Sequence, residues 1–405
     1  MARLVHVLIA TAVAWVLTGG NRLVAAAQGA TDGGRRAAEL RAKGVELGYN
    51  LDHAAALEAL EQAIAADPAH PSAYRLLAST MWISLLFKQG AVTAEDFLGQ
   101  ATSSGAPRPA AADVDKRFRE SLNKAIAIGE ARLRERGQSD VDAHYQIGAA
   151  YGFLATYTAT VEGLMSALGP SRRANSEHSR VLKLDPNRKD AGLVVGLHRY
   201  GVSTLGFFSR VAAGILGFEG DRKSGIHLIE EAAATPSDVQ TNARFVLVVI
   251  YNRESRFADA LRIIRQLQQQ YPRNRLLWLE EAGTALRAGR PAESKAAVDR
   301  GLAMCATDRR PRAFGEDARW RYQHGLALAA LDQRDAAEAE FRAALTGESR
   351  EWLRGRAHLE LGRLASLGSD KGRALTEFRE ALSLCGAAKD ETCLKDTRSL
   401  MRRVR

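Results

Sequence analysis

The chain has 405 residues, with 57 Lys and Arg against 47 Asp and Glu, a formal net charge of +10, and 46% hydrophobic residues. That apolar content supports a packed core and excludes a disordered chain. The basic residues are interspersed with acids, as in Asp115-Lys116-Arg117 and Arg334-Asp335, which excludes a continuous basic tract for nucleic acid.

Residues 1–27 read as a secretory signal peptide. Met1-Ala2-Arg3 gives a positive start, Leu4 to Leu17 is apolar apart from His6 and Thr11, and Ala25-Ala26-Ala27 offers a small-residue cleavage site before Gln28. An uncleaved anchor is the alternative, although about 14 to 17 apolar residues are few for a bilayer span. No Cys lies near the site to carry a lipid. The expected location is therefore periplasmic or secreted, and residues 28–36 are a linker.

Residues 37–88 carry the first helical repeats. Leu40, Gly44 and Leu47 open one unit and Ala56, Leu60, Ala63 and Pro68 close it, after which Pro71, Tyr74, Leu77, Ala78 and Met81 begin the next. Small residues at the crossing let two helices approach, and the proline ends the second. Residues 89–112, with Gly90, Gly99, Gly105, Pro107 and Pro109, have the composition of a loop insertion.

A divergent helical middle spans 113–235. Phe118, Leu122, Ala125, Ile128 and Leu133 recur at helical spacing, and His144, Ile147, Gly148 and Tyr151 read as another first helix. The 34 residues from Gly44 to Ala78 become 70 from Ala78 to Gly148, 48 to Gly196 and 52 to Val248. The most apolar stretch, 193–218, reads as a buried helix pair or as a membrane- or partner-facing patch, while Arg199, Arg210 and its glycines exclude a spanning helix.

Regular units return at 236–384. Arg244, Leu247, Val248, Tyr251, Ala260, Ile264, Leu267 and Pro272 are followed one period later by Trp278, Glu281, Ala282 and Ala285. Gly325, Leu328, Ala337, Phe341 and Ala344 form a further unit, and Gly362, Ala365, Ala374, Phe378 and Ala381 the last. Residues 385–405 read as a basic capping helix, whose Arg398, Arg402, Arg403 and Arg405 suit contact with a membrane surface or an acidic partner. Cys385 and Cys393, flanking Gly386-Ala387-Ala388, are placed to form a disulfide or stand as two reduced thiols, with Cys305 a buried free thiol.

In these positions, at 37–82 and 241–384, the chain resembles the tetratricopeptide repeat family. Its long irregular middle is similar to exported bacterial members with a divergent central region. The resemblance implies an all-α fold, a right-handed superhelical solenoid of about eight helix-turn-helix pairs whose first helices line a concave face. It places Trp82, Tyr145, Phe153, Tyr200, Phe245, Val249, Asn252, Leu276, Leu279, Tyr322 and Leu326 on that face. Of these, Trp82, Tyr145, Phe153, Tyr200, Phe245, Asn252, Leu279 and Tyr322 are the candidate partner-binding residues. Phe245 and Val249 stand where the family's carboxylate clamp needs Lys and Asn, which argues against that activity.

Catalytic chemistry has no comparable signature. None of the nine His pairs with His or Glu at a zinc-binding spacing, Gly217 to Gly225 lacks the spacing of a phosphate loop, and no Gly-x-Ser-x-Gly elbow occurs. The expectation is an exported, non-enzymatic scaffold without cofactor or metal that binds a protein or peptide. The alternative is a periplasmic binding protein for a small hydrophobic ligand, or a transporter-associated component.

Overall fold

The computed structural model describes residues 32–91, 93–98, 110–204 and 220–404. The leader expected at 1–27 lies outside these residues, as do Arg405 and positions 205–219 of the apolar stretch. The regular elements among the described residues are all helices, with no strand among them, so the expected all-α class is borne out.

Contacts divide the chain into two units, Met1–Leu85 with Arg108–Ile250, and Leu86–Pro107 with Tyr251–Arg405. The first contains α1 (Asp32–Tyr49), α2 (His53–Ala66), most of α3 (Pro71–Lys88), α4 (Ala112–Arg136), α5 (Val141–Val161), α6 (Leu164–Leu184), α7 (Gly192–Ser203), α8 (Arg222–Ala234) and most of α9 (Gln240–Arg253). Within it α1 packs on α2, α4 on α5, α5 on α6, and α7 on α8. The second contains α10 (Phe257–Gln270), α11 (Leu276–Arg287), α12 (Pro291–Thr307), α13 (Glu316–Ala330), α14 (Arg334–Thr346), α15 (Glu351–Leu367), α16 (Lys371–Ala387) and α17 (Glu391–Val404). Here α11 pairs with α12, α13 with α14 and α15 with α16, while first helices also meet first helices, α11 with α13, α13 with α15, and α15 with α17.

The helix pairing has a visible cause. A Cβ added at Gly325 would lie 2.6 Å from the ring of Phe341, and one at Gly362 would lie 2.5 Å from Phe378. Each glycine is the gap that a fully buried phenylalanine of the next helix fills. Pairs close through short turns that place one residue at positive φ, as at Leu51, Gly289, Asp332 and Ser369. Asp140, Asp221 and Asp370 cap the helices that follow by accepting from the backbone N–H three residues on.

The helix α7 buries Leu193, Val194, Val195, Leu197, Tyr200 and Val202. Its partner comes so close that a Cβ on Gly196 would meet the Gly225 carbonyl at 2.6 Å. The described part of the apolar stretch is therefore interior. Among the described residues no helix is long and apolar enough to cross a membrane.

Candidate functional site

In the second unit, the side-by-side first helices α11, α13 and α15 share a face. Helical spacing of three and four brings Leu279, Glu280, Gly283 and Arg287 together on α11, Arg319 and Tyr322 on α13, and Trp352 and Arg356 on α15. A small cavity is lined by Leu279, Gly283, Arg287, Tyr322 and Trp352 together with Thr93 and Glu95. Two of the expected binding residues, Leu279 and Tyr322, are thus brought to one site.

The face is not open. Of the stretch expected to be a loop insertion, residues 89–91 and 93–98 belong to this unit and form a 3-10 turn at Ala94–Phe97, while Ala112 already begins α4 of the first unit. Thr93 and Asp96 make a capping box, with the Thr93 N–H donating to Asp96 Oδ2 at 3.0 Å and its hydroxyl at 2.9 Å. The turn is then held by the repeat helices. Arg319 donates to both carboxylate oxygens of Asp96, at 3.0 and 3.1 Å, to the Thr93 hydroxyl at 2.6 Å and to the Gly90 carbonyl at 2.8 Å. Arg350 reaches Asp96 Oδ1 at 3.4 Å, Arg356 donates to Glu95 at 3.0 Å, and the Ala94 N–H donates to Glu280 at 2.7 Å. Gly90 turns at φ +67°, where a Cβ would lie 2.1 Å from the Phe314 carbonyl, so only glycine fits.

Trp352 underlies the cationic pair, with the guanidinium carbons of Arg319 and Arg356 each 5.2 Å from its ring. Burial works against a charged Asp96, but Arg319 and Arg350 outweigh it and hold the carboxyl below its ordinary value. Glu280 has no such pairing. Burial raises its carboxyl to about 7 against the opposing Ala94 N–H and Arg287. Arg356 is steadied from behind by Asp390, which accepts from its Nε at 2.7 Å and caps α17 by accepting from the Cys393 N–H at 3.1 Å.

The remaining candidate residues are placed inside rather than along an open groove. Asn252 is tied into its unit, donating to Thr284 at 3.1 Å and accepting from Arg287 at 2.9 Å. In the first unit Trp82 meets Tyr157 edge-on at 5.2 Å, and Tyr157 stacks on Phe118 at 4.2 Å. Tyr145 donates to Asp238 at 2.7 Å and meets His178 edge-on at 5.2 Å. Phe153 and Tyr200 are buried, and Phe245 stacks on Tyr49 at 5.7 Å while remaining partly exposed. Apart from the partly exposed Phe245, these aromatic rings are buried and pack the first unit's interior.

Cys385 and Cys393 are joined, with Cα atoms 6.0 Å apart, and Cys305 is a buried free thiol. On α17 the buried side carries Cys393, Leu394, Thr397, Met401 and Val404, leaving Arg398, Arg402 and Arg403 exposed. Among the described residues, the His, Cys, Asp and Glu close enough to hold a metal are Cys385, Asp390 and Cys393. There the thiols are committed to the disulfide and Asp390 to Arg356.

No family model matches the sequence, and no curated protein matches it. Among solved structures the chain is similar to a tetratricopeptide repeat protein from Parabacteroides merdae at 16% identity, covering 79% of this chain and 96% of that one at a TM-score of 0.31. It is similar to yeast Tom70 at 11% identity, covering 88% and 87% at 0.40. The human IFIT1 dimer with m7Gppp-AAAA matches at 15% identity, covering 89% and 82% at 0.44. At these TM-scores the likenesses carry no argument, and the helix-pair fold rests on the chain's own geometry.

Proposed function

We propose that the protein is a non-enzymatic helical-repeat scaffold that binds a protein or peptide partner through the face shared by α11, α13 and α15. One observation carries this reading. A stretch of polypeptide, residues 90–91 and 93–98, is held on that face by hydrogen bonds to its backbone, at the Gly90 carbonyl and the Ala94 N–H, and to the carboxylates of Glu95 and Asp96. A surface that satisfies both parts of a peptide is built for peptide recognition.

Gly283 supplies the test. A Cβ there meets nothing closer than the Arg287 guanidinium at 3.4 Å, so a larger side chain extends into the cavity. Within a helix, replacing glycine also recovers up to about 1 kcal/mol of propensity. Gly283→Leu should therefore lose a co-purifying partner at a stability cost of no more than about 1–3 kcal/mol, while Arg342→Ala, on the exposed side of α14, keeps the partner. Retention of the partner at wild-type affinity by Gly283→Leu would place binding elsewhere. A bound lipid in the native protein, found by mass spectrometry, would favour a hydrophobic-ligand function instead.

The same proposal places the scaffold outside the cytoplasm, supported by the composition of residues 1–27 and by the joined Cys385 and Cys393. Amino-terminal sequencing of exported protein should begin near Gln28. Intact Met1 in a membrane fraction would replace cleavage with an anchor.

A further inference from the structure

We infer that residues 93–98 are a tethered ligand of the α11–α13–α15 face, and that the partner this face takes is a peptide presenting the same acidic turn, Ser or Thr followed at the third position by Asp with an acid between. The inference rests on the proposed binding role of the face and adds the chemistry of the partner.

Three observations point the same way. The recognition is of a short motif: Arg319 meets both Thr93 and Asp96, Arg350 also reaches Asp96, the Ala94 N–H meets Glu280, and Glu95 meets Arg356. The complementarity is of charge, since buried guanidinium groups face the two acids and Trp352 backs two of them. Arg319 binds Asp96 through both of its terminal nitrogens, the fork geometry suited to a carboxylate.

The third observation concerns packing. A small cavity remains beside Thr93 and Glu95 on this face, although Thr93, Ala94 and Asp96 are themselves buried. Hydrogen bonds hold the turn's polar groups, and such contacts can be exchanged for those of another peptide of the same pattern.

The tether sets the competition. A short linker holds its ligand at an effective concentration of about 1 mM. A free peptide of intrinsic Kd about 1 μM would then bind the closed protein about a thousandfold more weakly. Weakening the internal turn should unmask the face.

The probe is a fluorescent peptide of this chain's residues 90–98, read by anisotropy against the full-length protein. Asp96→Ala should bind it at least about tenfold more tightly than wild type, and a probe with Asn for Asp96 should not bind. Adding Arg319→Ala to Asp96→Ala should remove the gain. Equal binding by Asp96→Ala and wild type, with both folded, would overturn the inference and make the turn a fixed strut.

Hydrogen exchange of the wild type gives a second reading that needs no variant. The Thr93 and Ala94 amides should exchange through an opening that leaves α13 and α15 protected; exchange only together with those helices would overturn the inference. Neither result bears on whether Gly283→Leu loses the natural partner, so failure of the tether is distinguishable from failure of the binding face.

Discussion

Glu280 shows how much of this face is decided by single side chains. Its carboxyl is buried, accepts the Ala94 N–H, and is raised from 4.5 to about 7 chiefly by burial. Between those two values the folded state binds the proton more than the unfolded state does, so stability falls as pH rises from 4.5 through 7 and is constant above. Glu280→Gln keeps an acceptor and removes the ionisation. It should stabilise the second unit at pH 8 by up to about 3 kcal/mol and flatten that part of the pH profile. A variant that melts no higher than wild type at pH 8 would mean that water reaches the carboxylate. Arg319, Arg350 and Arg356 escaped the sequence reading because interspersed basic residues resemble a solvated surface. Their partners lie at positions such as Asp96, 223 residues from Arg319, and no local spacing reports such a pairing.

At the scale of elements, the helix pairs were legible because their cause is local. Small residues at crossings and large ones opposite recur with the repeat, and Gly325 against Phe341 is a direct instance. Gly325→Leu should cost at least about 1–3 kcal/mol by wedging α13 from α14. Tyr322→Ala should cost a comparable amount or more, about 3–5 kcal/mol, because the ring is buried 5.9 Å from Phe341 and its loss leaves a cavity. Equilibrium denaturation checks both, and a Tyr322→Ala protein as stable as wild type would restore the open-groove placement of that ring.

The turn at 93–98 was less legible. Gly90, Gly99, Gly105, Pro107 and Pro109 give 89–112 the composition of a loop, yet Thr93-Ala94-Glu95-Asp96 already has the Thr-x-x-acid spacing of a capping box. The disulfide acts at this scale too. It closes a loop with a sequence separation of 8 and holds the start of α17, where Asp390 supports Arg356 behind Glu95. Reduction should cost roughly 2–3 kcal/mol in a chain-entropy account. It should also raise the exchange rate of the Ala94 amide; unchanged melting after complete reduction would remove the clamp from this picture.

Across the whole molecule the two units carry opposite responses to acid. In the first, burial and the positive charge of Arg75 and Arg188 lower His178 to about 3. Both of its ring nitrogens are buried, with no hydrogen-bond partner among the described residues. His70 is lowered to about 4 by burial and Arg41, and His198 to about 4 by burial and Arg199. A histidine depressed on folding binds its proton more readily in the unfolded chain, so its contribution is present above the ordinary value of 6.5 and is lost as pH falls toward 4 and below. Glu280 changes stability in the other direction over 4.5 to 7.

Lowering the pH from 7.5 to 5 should therefore weaken the first unit while easing the second. Near-ultraviolet and far-ultraviolet melts should separate into two transitions in acid, the earlier one restored upward by His178→Leu, which removes the titrating ring and leaves no buried polar atom unpaired. Glu280→Gln should leave that early transition in place. If His178→Leu is as acid-sensitive as wild type and the early transition follows Glu280→Gln instead, the buried histidines are not what makes the fold acid-labile, and the assignment of the two responses to the two units is wrong.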